Sequence, residues 1–223
     1  MMKILKKPLN LIALATLFIF AGCFELIEEM TLNDNGSGTY KLTYDMSASK
    51  DMINMMRSFT AGTEDDITTS FGGFDEGLDD IEAKPGISNA EVIADSVNYV
   101  FSLKFDFDSI SSLNDVLAEI LSDENGSGVA AFTYSGNELV RNHDSDMKSM
   151  LIDDEEDDPR FEEMMMLQYK DVSFTTIYHF NKRVRNVSND LAEIKNNGRT
   201  VEMKLYLFRP EFADKTFENR IRF

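Results

Sequence analysis

From Val97 to Phe107 the odd-numbered positions Val97, Tyr99, Phe101, Leu103, Phe105 and Phe107 are all apolar, while Asn98, Ser102, Lys104 and Asp106 lie between them. A period of two fits an extended chain, whose successive side chains leave on opposite faces. One apolar and one polar face predict an antiparallel strand with a single buried side. A purely helical fold is excluded by this stretch alone.

The same signal recurs along the chain. Leu26, Glu28, Met30 and Leu32 alternate with Glu25, Glu29 and Thr31, and Ile27 breaks the pattern. Asn33-Asp34-Asn35-Gly36-Ser37-Gly38 supplies residues that accept positive φ, and Tyr40, Leu42, Tyr44 and Met46 continue on one face, so the pair predicts a β-hairpin. Ser47 or Ser49 can cap a short helix with Met52, Met56 and Phe59 on one side. Ile87–Ala94 predicts a strand. Ile110, Leu113, Val116, Leu117, Ile120 and Leu121 then follow at helical spacing, with Ser112 and Asp115 as a capping pair. Strands are expected at 129–134, 137–141, 172–180 and 201–207, and again where Phe217, Ile221 and Phe223 alternate with charge. Strand, strand, helix occurs twice, each time with an Asn-Gly-Ser-Gly turn, as a duplicated α+β unit would give.

The expected fold is therefore α+β: a twisted antiparallel sheet with two or three helices packed on one face. Periodicity lapses in two acid-rich stretches, 60–86 and 142–163, which are expected to be mobile inserts in a single domain spanning 23–223. The second holds Asp153-Asp154-Glu155-Glu156-Asp157-Asp158.

Residues 1–22 have a different character. Lys3, Lys6 and Lys7 precede an almost wholly apolar run from Leu9 to Phe20, the layout of a secretory signal peptide. The sixteen residues from Leu9 to Phe24 would make about 24 Å of helix. That is short for a hydrocarbon core of about 30 Å. Phe20-Ala21-Gly22-Cys23 then places small residues directly before the only cysteine. This segment resembles the lipobox of bacterial lipoproteins, with Phe20 where that family prefers Leu. The resemblance implies that the thiol of Cys23 receives a diacylglyceryl group and that cleavage makes Cys23 the first residue, acylated in many species on its amine (palmitate is typical of such anchors). The alternative for Cys23 is a small buried apolar residue. One acyl chain holds a protein at a membrane only marginally, whereas two or three hold it stably. Phe24 after the cysteine resembles the sorting pattern for the outer membrane; a periplasmic and a surface-facing position both remain open.

Net charge is −18, and the chain after residue 22 carries 19 basic against 40 acidic residues, so a nucleic-acid partner is not expected. A lone cysteine excludes a disulfide framework. No cofactor and no metal are expected: Asp123-x-Asn125-Gly126 offers part of a calcium loop, but Leu121 stands where its first ligand belongs, and runs of like charge are usually solvated. Met52, Met55, Met56 and Met164 to Met166 fit an adaptable core or groove better than a copper site. No Gly-x-Ser-x-Gly elbow accompanies Ser37 or Ser127; His143 falls in the acidic insert and His179 among Thr and Phe, so catalysis is not expected. Residues 168–223 hold 11 basic against 7 acidic residues, whereas 24–167 hold 8 against 33. Intramolecular neutralisation explains that segregation, and so does a partner surface.

The hairpin over 33–40 just past Cys23 resembles a group of Bacteroidetes lipoproteins and, more distantly, the LppM-type domain of bacterial lipoproteins. Thr175 to Phe180 and Asn197 to Val201 fit the same order of strand, loop, turn and strand. The usual Trp near the late strand has no counterpart, because the chain contains no Trp. The resemblance implies a small lipid-transfer-like α+β domain. Two functions are expected from these readings: a membrane-anchored protein that takes up a lipid or other hydrophobic ligand, or one that docks an envelope protein through its charged loops.

Overall fold

The computed structural model of the chain describes residues 24–59, 77–120, 130–142 and 169–223. In chain order the elements are β1 (Glu25–Leu32), β2 (Gly38–Asp45), a 3-10 turn at Ser47–Ser49, α1 (Lys50–Phe59), α2 (Leu78–Glu82), β3 (Ile87–Asp95), β4 (Val100–Phe107) and α3 (Ile110–Ile120). They are followed by β5 (Phe132–Tyr134), β6 (Glu138–Arg141), β7 (Ser173–Phe180), β8 (Asn186–Val187), β9 (Glu193–Lys195), β10 (Thr200–Tyr206) and β11 (Asn219–Arg222). The class is α+β, as the alternating runs and helical spacings require.

Two sheets form. The larger has seven strands in the order β3-β4-β2-β1-β7-β10-β9, and the smaller has four in the order β5-β6-β11-β8. Among the described residues every pairing is antiparallel except that of β1 with β7, where Glu25 stands opposite Ser173 and Leu32 opposite Phe180. A parallel pair needs a long crossover connection, and here some 140 residues intervene, which explains why no local pattern announces it.

Register places one residue class on each face of the large sheet. Phe105, Tyr40, Met30, Tyr178 and Val201 form one cross-strand row, and Leu103, Leu42, Glu28, Thr176 and Met203 the next. All ten are buried. The outer face is polar, with Lys204 bound to Glu25, Lys195 to Glu202, and Thr43 to Ser102. Ile27, which interrupts the sequence pattern, belongs to this outer face.

The inner face is covered by the small sheet and by α3. Leu113, Val116 and Leu117 of α3 join the main core with Phe132, Leu139 and Ile221 of the small sheet. Aromatic rings meet edge to face across the gap: Phe132 with Tyr178, Phe174 with Phe217 and Phe180 with Phe223, at 5.8, 4.6 and 4.8 Å between centroids. Asn114 fastens α3 to β5 by exchanging two hydrogen bonds with the backbone of Phe132, at 2.8 and 2.9 Å. A smaller cluster joins Ile53 of α1 to Tyr99, Phe101 and Met46.

The Asn33–Ser37 turn forms as its composition predicts. Asn33 N–H donates to Ser37 O, Gly36 N–H donates to Asn33 O, and Gly36 takes φ +88°. The alternation before β4 ends differently from the expectation. Asp95 caps a turn, Tyr99 has φ +56°, and Val97 stands at its tip 72% exposed rather than facing the core. Of the expected insert at 60–86, residues 77–86 are described and comprise α2 and the turn into β3, with Ile81 buried. Residues 60–76 and 143–163 lie outside the described residues, as does the signal segment 1–22.

Candidate functional site

The most unusual chemistry lies between the sheets. Glu28 on β1 is in phase with Leu26, Met30 and Leu32, so the pleat carries its carboxylate into the apolar interior. Arg141 on β6 is in phase with Leu139 and enters from the other sheet. Only 2% of the Glu28 side chain and 4% of Arg141 is exposed. Arg141 Nη2 donates to Glu28 Oε2 at 3.3 Å, and Nε donates to Glu28 Oε1 at 3.4 Å and to the Tyr178 hydroxyl at 3.1 Å. Tyr178 donates a short hydrogen bond to Glu28 Oε1, and Tyr40 donates to Oε2 at 3.3 Å.

Aromatic faces add to the shell among the described residues. The guanidinium carbon stands 5.2 Å from the ring centre of Phe217, 5.8 Å from Phe174 and 6.0 Å from Phe132. Rings at this range attract a cation through their quadrupoles. Burial by itself would pull Arg141 down, but the charge of Glu28 and the neighbouring phenols outweigh it and hold the guanidinium above its ordinary value. Burial, then the Glu28 charge, pushes both Tyr40 and Tyr178 well above the usual phenol range. Among the described residues, the cluster therefore sets the Arg141 cation and two protonated phenols around the Glu28 carboxyl group.

That arrangement ties the two sheets together. Among the described residues, the buried Thr176 hydroxyl, paired with Glu28 across β1 and β7, finds no hydrogen-bond partner, and neither does the buried Asn219 Nδ2.

A cleft of about 490 Å³ is open to solvent beside β6 and β11, and Arg141 is among the residues that line it. Asn142, Asn189, Asp190, Asp214, Lys215 and Arg220 are among its lining residues, so its wall is polar and carries both signs of charge. Lys215 binds Asp190 at 2.6 Å and holds that carboxyl below the usual range. Asn219 Oδ1 accepts from the backbone N–H groups of Ser188 and Asn189, which fixes the cleft floor.

The residues singled out by sequence fare unequally. Cys23, His143, Ser127, Met164 to Met166 and the 153–158 acidic run lie outside the described residues, as do the side chains of Met52, Met56 and Phe59. Phe24, next to Cys23, is described: its carbonyl accepts from Ser173 N–H at 3.2 Å, so the backbone is fixed one residue after the cysteine. His179 sits on the rim of the outer face, with Nδ1 at 3.1 Å from Thr200 Oγ1 and Nε2 at 3.2 Å from Glu29 Oε1. Ser37 serves the hairpin turn through Asn33 and Asn35. Among the described residues no group of three His, Cys, Asp or Glu stands together to hold a metal ion, and no helix is long and apolar enough to cross a membrane. Sequence reasoning missed the Glu28–Arg141 pair, although a Glu in phase with three apolar residues was its visible sign.

Fold and site together define a two-layer α+β protein stapled by a buried ion pair. No family model matches the chain, and no curated protein matches it. Among solved structures it is similar to the NMR structure of the folded domain of the Mycobacterium tuberculosis LppM protein, at 16% identity over 92% of each chain, with a TM-score of 0.45.

Proposed function

We propose that this chain is a lipid-anchored protein of the bacterial cell envelope, sorted to the outer membrane, that acts by binding rather than by catalysis and docks an envelope partner through polar surfaces. The observation that carries the anchoring is the absence of a tether: Phe24 is already hydrogen-bonded to β7, and β1 begins at Glu25, directly after the lipobox cysteine. Acyl chains on Cys23 would hold the domain against the bilayer. For the ligand, an apolar guest needs an apolar cavity. Among the described residues the space between the sheets is filled by Phe132, Tyr178, Phe174 and the ion pair, while the roomy cleft is polar. This favours the docking reading over uptake of a hydrophobic molecule.

The anchoring is tested by intact mass spectrometry of the mature protein isolated from its host. The expected product begins at Cys23 and carries two or three acyl chains, and Cys23→Ala retains residues 1–22 uncleaved by the lipoprotein route. A chain that begins at Met1 without fatty acid overturns the proposal. For docking, in-cell crosslinks to one partner should fall when Lys215→Glu and Arg220→Glu are combined; stoichiometric envelope lipid in the purified protein, with unchanged crosslinks, would restore the hydrophobic-ligand reading.

A further inference from the structure

Register fixes which end of the large sheet lies beside Cys23. Asp95, Val100, Asp45, Glu25, Ser173 and Tyr206 form one continuous terminal row through the β3–β4, β2–β4, β1–β2, β1–β7 and β7–β10 pairings. Phe24 stands immediately beyond this row. Since consecutive Cα atoms are about 3.8 Å apart, an acylated Cys23 can stray little from it.

The two ends of the sheet differ in chemistry. At the far end the turns are Asn33–Ser37, Asn181–Arg183 and Asn196–Gly198, all polar at their tips. At the near end Val97 projects from the β3–β4 turn, which Asp95 shapes by accepting from Val97 N–H, Asn98 N–H and the Asn98 side chain. Across the row, Arg209 lies 3.6 Å from the ring centre of Tyr206, and Phe212 packs 5.6 Å from the same ring. Arg209 also binds Asp171 at 2.6 Å, and an aromatic ring capped by a guanidinium suits a headgroup layer. The acids of the row have local partners: Asp95, which is exposed, in its own turn, Asp45 on the Ser47 N–H, and Glu25 on Lys204.

We infer that this end of the seven-stranded sheet is the face that rests on the bilayer, with the strands standing away from the membrane, Val97 and the Tyr206–Arg209 pair at headgroup depth, and the Asn33–Ser37 turn facing outward. The inference rests on the lipid anchor proposed above, and it goes further by naming the occupant of a surface and the orientation of the whole domain.

The chain lacks Trp, so a single introduced indole reports its own surroundings without background. Val97→Trp and Asp34→Trp both change exposed turn residues and leave the core untouched. Eight residues of β1 separate the two ends by about 26 Å. The full acylated protein, checked by mass spectrometry, is reconstituted into phosphatidylethanolamine–phosphatidylglycerol vesicles carrying brominated acyl chains. Val97→Trp should be blue-shifted and quenched severalfold more than Asp34→Trp. Equal quenching, or stronger quenching at position 34, in protein that is acylated and vesicle-bound overturns the orientation and leaves the anchor standing. Protein without acyl chains that stays off the vesicles overturns both.

Discussion

Gly38 opens β2 with an ordinary backbone conformation, so its requirement comes from space. A Cβ there would lie 2.0 Å from the carbonyl oxygen of Thr31 and 2.7 Å from Phe107 Cζ. The first contact is with backbone, which cannot rotate away. Gly38→Ala is expected to destabilise the protein by about 1–3 kcal/mol, as overpacking does, seen as a lower urea midpoint with an unchanged slope. Glu28 is the converse case, a side chain that must remain. In Glu28→Gln the carboxylate that Arg141 binds is lost while only 4% of the Arg141 side chain is exposed, and breaking a buried ion pair in this way costs about 3–5 kcal/mol. Replacing both, as Glu28→Leu with Arg141→Met, should recover most of that loss in the same denaturation assay. A double variant as unstable as the sum of its singles would show that the two residues do not act as a pair.

Between elements, the link from β1 to β6 has a dependence on pH. Tyr40 and Tyr178 keep their protons in the folded protein to higher pH than an unfolded chain would. Above about pH 10, where free phenols ionise, the unfolded state therefore binds fewer protons and gains relative to the native one. Their contribution is fully present below that pH and is lost as pH rises toward the folded values. Chemical denaturation between pH 8 and 11 should show stability falling on the alkaline side, and Tyr40→Phe with Tyr178→Phe should flatten that slope while lowering stability at neutral pH. The strands that house these groups were legible because each repeats its apolar residue every second position over at least four residues. β8, two residues long, and β9, three, carry too little sequence for any period. The split into two sheets was hidden for the same reason: β6 and β11 are short, and their partnership joins residues about 80 positions apart. Glu28 could be read as facing inward from its phase, but its partner could not, because nothing local in Glu138–Arg141 says which sheet it will face.

At the scale of the molecule, some late basic residues meet early acids while others bind acids of their own segment. Lys204 reaches Glu25, Arg222 reaches Glu138, and Lys195 holds both Glu193 and Glu202. Such exposed pairs add little stability singly. The pairing of β1 with β7 has an outcome in time as well as in space. Synthesis delivers β1 first and β7 only after residue 172, so β1 waits with one hydrogen-bonding edge bare while most of the polypeptide is still being made. Closing so distant a pair is slow, and an open strand edge invites pairing with a neighbour. A nascent chain of this design gains from being kept apart from its copies until β7 arrives.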